Sequence, residues 1–449
     1  MRDLAFIGFI AALLALGLKR PFLFVLAYAY VDIVAPQRLS YYLLNSIPLS
    51  LIVFVAAVLG WLIADDKKGF RVAPRQWLLL ALLLYAGVTT QTADFPLEAA
   101  EKWGWVWKAL VFAVFLPFTL TTRLRVEAML LFMILSAAAI VIVGGLKTVA
   151  SGGGYGVLNL MVDNNSGLYE SSTISAIAIA IIPIILWLMK HGTVYPLDWR
   201  VKTFGYALVF ACLLIPIGTQ ARTGLICIGV LAVLQLRFVK RRLLYLAMLG
   251  AAGALGLAFV PSSFTTRMET IQDYKADSSA STRLAIWGWT WNYAKQHPLG
   301  GGFDAYRANR VRVEMQSTRT QGASTSVSTA SQIEEGRAYH SAYFEMLGEQ
   351  GFPGLILWLL IHVGGVLRME VLRRRFRDSA PVPWASGLAA ALQGAHIIYL
   401  VGALFVGIAF QPFMLMLVGV QIGFDNVLRR AVRTKAAPEV ATASMAAIA

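Results

Sequence analysis

The chain has 449 residues, 58% of them hydrophobic and only 14% charged, with a mean hydropathy of +0.66. A soluble protein carries about 25% charged residues, so a soluble enzyme is excluded, and repeated apolar runs point to a polytopic helical membrane protein. The net charge of +15 is not a nucleic-acid footprint: the basic residues cluster between the apolar runs, as the positive-inside rule expects.

The first run, Leu4 to Leu18, is followed by Lys19-Arg20-Pro21 rather than a small-residue cleavage site. It therefore reads as a retained helix, not a signal peptide. Residues 4–35 form two short runs broken by those three residues. Two full crossings would put the N-terminus outside, whereas one crossing and a shallow segment would put it inside. Basic clusters at Asp65–Arg75, Thr121–Arg125, Arg237–Arg242, Arg368–Arg377 and Arg429–Lys435 are expected on the cytoplasmic side. Between them the spans are predicted near 47–64, 76–91, 104–120, 126–146, 171–189, 203–219, 223–237, 243–260, 351–367, 384–406 and 408–427. With the N-terminal runs this makes about twelve crossings, on window lengths near 20 residues. Cys212 and Cys227 fall inside apolar runs and read as packing residues.

The same alternation puts Lys147–Glu170, Thr219–Ala221 and Pro261 to about Gln350 outside. The division expected is N-terminal helices over 1–260, a large outer loop over 261–350, C-terminal helices over 351–428, and a tail over 429–449, disordered from 436. Within the loop, Ser281–Gln296 has Leu284, Trp287 and Trp291 at helical spacing. It reads as an amphipathic helix on the membrane surface with tryptophans at headgroup level. The Ser/Thr-rich stretch Gln316–Ser331 is expected to be mobile, either as a flap over a site or as an idle loop. No internal repeat supports an inverted-repeat transporter.

Three residues and a glycine triplet stand out chemically. Arg222, in Gly218-Thr-Gln-Ala-Arg-Thr-Gly224, is placed at the outer membrane edge, where charge bias does not explain an arginine. It is either a phosphate-binding fork or a snorkelling residue against lipid phosphate. Arg283, just ahead of the tryptophan helix, falls within reach of the same anion. Gly300-Gly301-Gly302 is either an anion nest or a plain tight turn. His340, in Gly336-Arg-Ala-Tyr-His340, is read as part of a helix with Tyr343, Phe344 and Leu347 on its face. It has Arg337, Glu345 and Glu349 nearby in sequence, and an imidazole there can take a proton from a sugar hydroxyl. His191, His297, His362 and His396 are in poorer settings. Scattered histidines, isolated Asp32, Asp94 and Asp163, and no metal or P-loop motif suggest a metal-free, cofactor-free site.

At these residues the sequence resembles the bacterial O-antigen ligases, within the ligase/polymerase superfamily of membrane glycosyltransferases. The family pattern is His, then Asn, Ser or Gln, nine residues, Gly, two residues, then Gly, Thr or Tyr. His340-Ser341 and Gly351-Phe-Pro-Gly354 fit it, and Arg283-Leu-Ala-Ile-Trp287 and His297-Pro-Leu-Gly-Gly-Gly-Phe303 also look like the loop core. The resemblance covers roughly 281–354. It implies an all-α GT-C-like membrane fold with its site on the periplasmic face of the bacterial inner membrane. It implies an undecaprenyl-diphosphate-linked glycan donor and a lipid A-core acceptor. His340 matches the family's catalytic histidine, and Arg222 and Arg283 its diphosphate-binding arginines, while Arg337 joins them by proximity. The alternatives are a polymerase or a protein-glycosylating ligase of the same superfamily, a lipid-linked sugar flippase, and a scaffold protein.

Overall fold

The computed structural model describes residues 2–44, 46–67, 71–151, 168–247, 250, 278–321, 324–379 and 382–446. Ten helices come first: α1 (Arg2–Lys19), α2 (Phe22–Val34), α3 (Pro36–Leu39), α4 (Leu49–Ala64), α5 (Pro74–Gln91), α6 (Pro96–Thr119), α7 (Arg123–Ser151), α8 (Ser171–His191), α9 (Trp199–Gly218) and α10 (Arg222–Gln235). After them come α11 (Ser278–Gln296), a one-turn 3-10 helix (Ala305–Ala308), strands β1 (Arg310–Gln321) and β2 (Ser324–Glu335), then α12 (Ala342–Arg375), α13 (Ala385–Gly402) and α14 (Pro412–Ala446).

These helices follow the apolar runs closely. Most of the predicted span at 243–260, most of the 147–170 loop with Asp163, and the start of the outer loop lie outside the described residues. Five helices, α7, α8, α9, α12 and α13, are long and apolar enough to cross a membrane, among the described residues. Ile356, Leu360, Val363, Leu367 and Val371 recur along α12 at helical spacing and are all exposed, an apolar stripe suited to lipid. The helix α8 is instead enclosed, packed against α7, α9, α10 and α13.

Ion pairs knit the basic clusters together. Arg125 forks onto Asp65 at 2.6 and 2.7 Å, and Arg368 and Arg429 share Asp425. Asp65 caps the end of α4 and Arg125 lies in the first turn of α7, whereas Arg368 lies in the last turns of α12 and Asp425 and Arg429 lie within α14; none lines the cavity described below.

Three expectations are corrected. Within a chain that is mostly helical as expected, β1 and β2 pair antiparallel along their whole length, from Arg310 opposite Glu335 to Gln321 opposite Ser324. The stretch expected to be mobile thus lies in a hairpin, because its Thr residues and Val327 suit a pleated strand as well as its polarity suits a loop. The C-terminal segment is helical to Ala446 rather than a disordered tail from 436, consistent with the high helix propensity of its alanines. Lastly, α11 has two apolar faces. Leu284 and Trp291 are exposed as expected of a surface helix, but Ile286 joins Val311 and Tyr339 in a small core with Trp289, Tyr306 and Phe344.

Candidate active site

His340 lies in the six-residue connection from β2 to α12, and the hairpin base fixes it. Asn309, fully buried beside the first residue of β1, accepts the Gly336 N–H on its carbonyl at 3.0 Å. Its side chain accepts the Arg337 N–H at 3.0 Å and donates to the Arg337 carbonyl at 2.6 Å. Two residues on, Trp287 Nε1 donates to the Tyr339 carbonyl at 2.9 Å, its ring stacked on Phe344 with centroids 5.0 Å apart. Beyond His340, the Ala342 N–H donates to the Ala403 carbonyl at 2.8 Å.

The histidine itself is not helical, contrary to its sequence reading. Its φ is +48°, in the left-handed region that few residues other than glycine adopt. Extended Ser341 is the cap, and α12 starts at Ala342. The apolar spacing of Tyr343 and Leu347 belongs to that helix, so its period could not distinguish a residue just before the first turn.

Below His340, α12 breaks. Gly351 has φ +63° and ψ −166°, and Pro353 follows. Two carbonyls lose their ordinary donors there. Gly348 would pair with Phe352, whose N–H turns to the Pro298 carbonyl at 3.0 Å, and Glu349 would pair with residue 353, a proline without an N–H. The glycine triplet supplies replacements: Gly301 N donates to Gly348 O at 3.0 Å and Gly302 N to Glu349 O at 2.9 Å. Gly300 and Gly302 also have positive φ, at +90° and +78°. The triplet is therefore a packing turn against a kinked helix, the plainer of its two readings.

This clasp positions a buried ion cluster that sequence reading missed. Lys102 Nζ lies 2.8 Å from Glu345 Oε1 and 2.7 Å from Glu349 Oε1, with Asp304 at 3.9 Å. Glu349 Oε1 also accepts the Asp304 N–H at 3.1 Å, and Glu345 Oε2 accepts the Ala409 N–H at 3.0 Å. The Lys102 side chain is 14% exposed and that of Glu349 not at all.

Above the cluster is a cavity of about 400 Å³. The first turns of α6, α8 and α12 open onto it, and residues 405–411 form a wall. Glu98, Glu170 and Glu345 stand at the cap or first turn of these helices, where the helix dipole favours a negative charge. Glu101, Trp105, Tyr306 and Arg307 line it too, with His340 and Arg283.

The sequence-selected residues divide here. His340 is exposed and shares the cavity with Arg283. Although its ring opens to the cavity, desolvation by the walls lowers its pKa; Arg283 and Arg337 push the same way, and Glu170 opposes them. Arg222 heads α10 after a turn in which Gln220 has φ +53°, and it does not line the cavity. Arg337 does not either; its guanidinium pairs with Glu334. Two acidic residues dismissed as isolated have local duties or settings: Asp94 accepts from the Tyr293 hydroxyl, and Asp32 lies on α2 away from the cavity.

Two family models match. Residues 1–193 match a family of unknown function (DUF5935), and residues 207–359, about a third of the chain, match a family described as O-antigen ligase. The cavity draws on both segments: Glu98, Glu101, Lys102 and Glu170 come from the first, and Arg283, Arg307, His340, Glu345 and Glu349 from the second. No curated protein matches the chain.

Proposed function

Over residues 207–359 the chain is a member of the O-antigen ligase/polymerase superfamily, and on that premise we propose that it is an O-antigen ligase. The observation that carries this reading is that His340 and Arg283 wall one cavity, with the imidazole exposed and biased to its neutral form. Neutral His340 removes the proton from a sugar hydroxyl of a lipid A-core acceptor. The freed oxygen attacks the anomeric carbon of the glycan on undecaprenyl diphosphate. The carbon–oxygen bond to the diphosphate breaks, and Arg283 meets the charge that develops on the leaving group. Single displacement inverts the anomeric centre. No step is assigned to a metal or cofactor. For Arg222 and Arg337 to share in diphosphate binding, the donor must extend beyond the cavity.

The proposed setting is the bacterial inner membrane, with about twelve crossings and the cavity on the periplasmic face. In support, Arg125 pairs with Asp65, and Arg368 and Arg429 with Asp425, and none of these residues lines the cavity. We divide the chain as helices over 1–260, the outer loop over 261–350, helices over 351–428, and a cytoplasmic end over 429–449.

The test is transfer by purified protein from undecaprenyl-diphosphate glycan to lipid A-core, with and without EDTA, for wild type and His340→Ala. Metal-insensitive transfer lost in the variant is the expected result. Lengthening of the donor glycan without attachment to lipid A would identify a polymerase instead, and full activity of the variant would remove His340 from the chemistry.

A further inference from the structure

Sequence reading did not select Arg307, yet it lines the cavity with His340 and Arg283. It projects from the one-turn helix after Asp304, a residue with φ +59° whose N–H is tied to Glu349. Its side chain is 43% exposed. The nearest acceptors are Glu98 Oε1 at 3.6 Å and Asp304 Oδ2 at 3.9 Å, both beyond hydrogen-bond length. Among the described residues its guanidinium makes no hydrogen bond.

Arginines that hold this fold together look different. Arg125 is bidentate on Asp65 at 2.6 and 2.7 Å, Arg368 on Asp425 at 2.7 and 3.0 Å, and Arg373 on Glu370 at 2.8 Å. Arg307 stands near two carboxylates beyond hydrogen-bond length and over the Tyr306 ring at 5.9 Å, and it lines the cavity. Lys102, another cation lining the cavity, is committed to Glu345 and Glu349 at hydrogen-bond distance. A diphosphate carries at least two negative charges, and a planar guanidinium fork matches its oxygens.

We propose that Arg307 is a phosphate-binding residue that leaves Glu98 and Asp304 when the donor enters and, together with Arg283, holds the diphosphate. This rests on the reading of the cavity as the donor site. Glu98 then competes with the substrate for the arginine, which gives it an effect opposite in sign to that of Arg307.

The experiment is binding of undecaprenyl diphosphate, without glycan, to the full chain in lipid nanodiscs, with undecaprenol as the uncharged control. Arg307→Ala is expected to weaken diphosphate binding roughly 10- to 100-fold, the loss of one charge-assisted contact. Arg307→Lys should fall between, and undecaprenol binding should not move. Glu98→Gln should tighten diphosphate binding by releasing the arginine. A merely structural ion pair would make Glu98→Gln and Arg307→Ala weaken binding alike, and that result overturns the proposal. So does diphosphate binding by Arg307→Ala within about twofold of wild type, even if the KM for acceptor rises, since Arg307 would then belong to the acceptor. If wild type itself fails to bind the diphosphate while folded, the donor-site reading falls and this inference with it. Failure confined to the variants leaves that reading standing.

Discussion

Gly300 and Gly351 meet backbone to backbone. A β-carbon on Gly351 would lie 2.5 Å from the Gly300 nitrogen, and one on Gly300 would lie 2.6 Å from the Gly351 nitrogen. This contact joins the loop before the hairpin to the break in α12, and it seats Glu349 against Lys102 and Asp304.

Gly351→Ala tests it. The residue's φ and ψ fall in a region that is essentially glycine-only, at a cost of about 1–3 kcal/mol for a side chain before any overlap. The overlap is with backbone, which cannot swing aside. The expected outcome is a thermal midpoint in detergent several degrees lower, with transfer reduced through loss of the ion cluster. An unchanged midpoint would show that the break can be rebuilt without glycine.

Replacing Lys102 by Met leaves Glu345 and Glu349 buried with their cation gone. Breaking a buried pair in this way costs about 3–5 kcal/mol, so the variant should unfold at markedly lower temperature or denaturant. Lys102→Arg should recover part of that loss. Comparison of unfolding curves for the three proteins checks it, and equal stability would mean that water reaches the cluster.

Asn309 makes both side-chain hydrogen bonds to Arg337 while fully buried. Truncation to Ala leaves the Arg337 N–H and carbonyl without that partner, each costing about 1–3 kcal/mol where water cannot replace it. Because Asn309 does not line the cavity and its side chain bonds the backbone of Arg337, kcat is expected to fall more than donor affinity. Steady-state kinetics would show this, and a pure loss of stability with normal kcat would separate Asn309 from the placement of His340.

The role of His340 predicts a pH profile. The neutral ring accepts the proton, so the rate is full above its folded pKa and falls as pH drops through it. Desolvation, Arg283 and Arg337 put that pKa below the ordinary imidazole value, about 6.5. The acid limb of kcat/KM should therefore lie below that pH. Arg283→Gln removes a cation and should move the limb up, while Glu170→Gln should move it down. The same shift acts on stability. The unfolded chain takes up this proton at higher pH than the folded chain, so the contribution is complete above about pH 6.5 and is lost as pH falls through the folded pKa. His340→Ala should cost about 10²–10⁴ in rate, the usual worth of a general base, with undecaprenyl diphosphate binding retained.

Much of the helical architecture was legible because a span announces itself locally. An apolar run must bury its own backbone hydrogen bonds in lipid, and each observed helix from α4 to α10 begins or ends within a few residues of a predicted run. The glycine spacing after His340 was also readable, since Gly351 and Gly354 stand in one short stretch. The hairpin was missed because Ser and Thr serve both loops and strands. Its signals were the alternation Val311, Val313, Met315 and the Gly322 between two such runs.

The composition of the cavity was not legible in the same way. Lys102 and Glu345 are 243 positions apart, and nothing local to either predicts the other. Arg222, Arg283 and Arg337 look alike as isolated arginines in an outer segment, whereas only Arg283 of the three lines the cavity. Arg307 carries no sequence mark that separates it from them.

By itself, then, the sequence determined the membrane class, most helix positions, the histidine motif and the glycines that permit the break after it. These depend on hydropathy and on backbone freedom, which are properties of a residue and its near neighbours. Only the tertiary structure decided which charges share a cavity with His340, which are spent on holding the fold, and which remain exposed to a substrate. Pairing between charges falls off over a few ångströms and ignores chain distance, so it is set by how the helices pack.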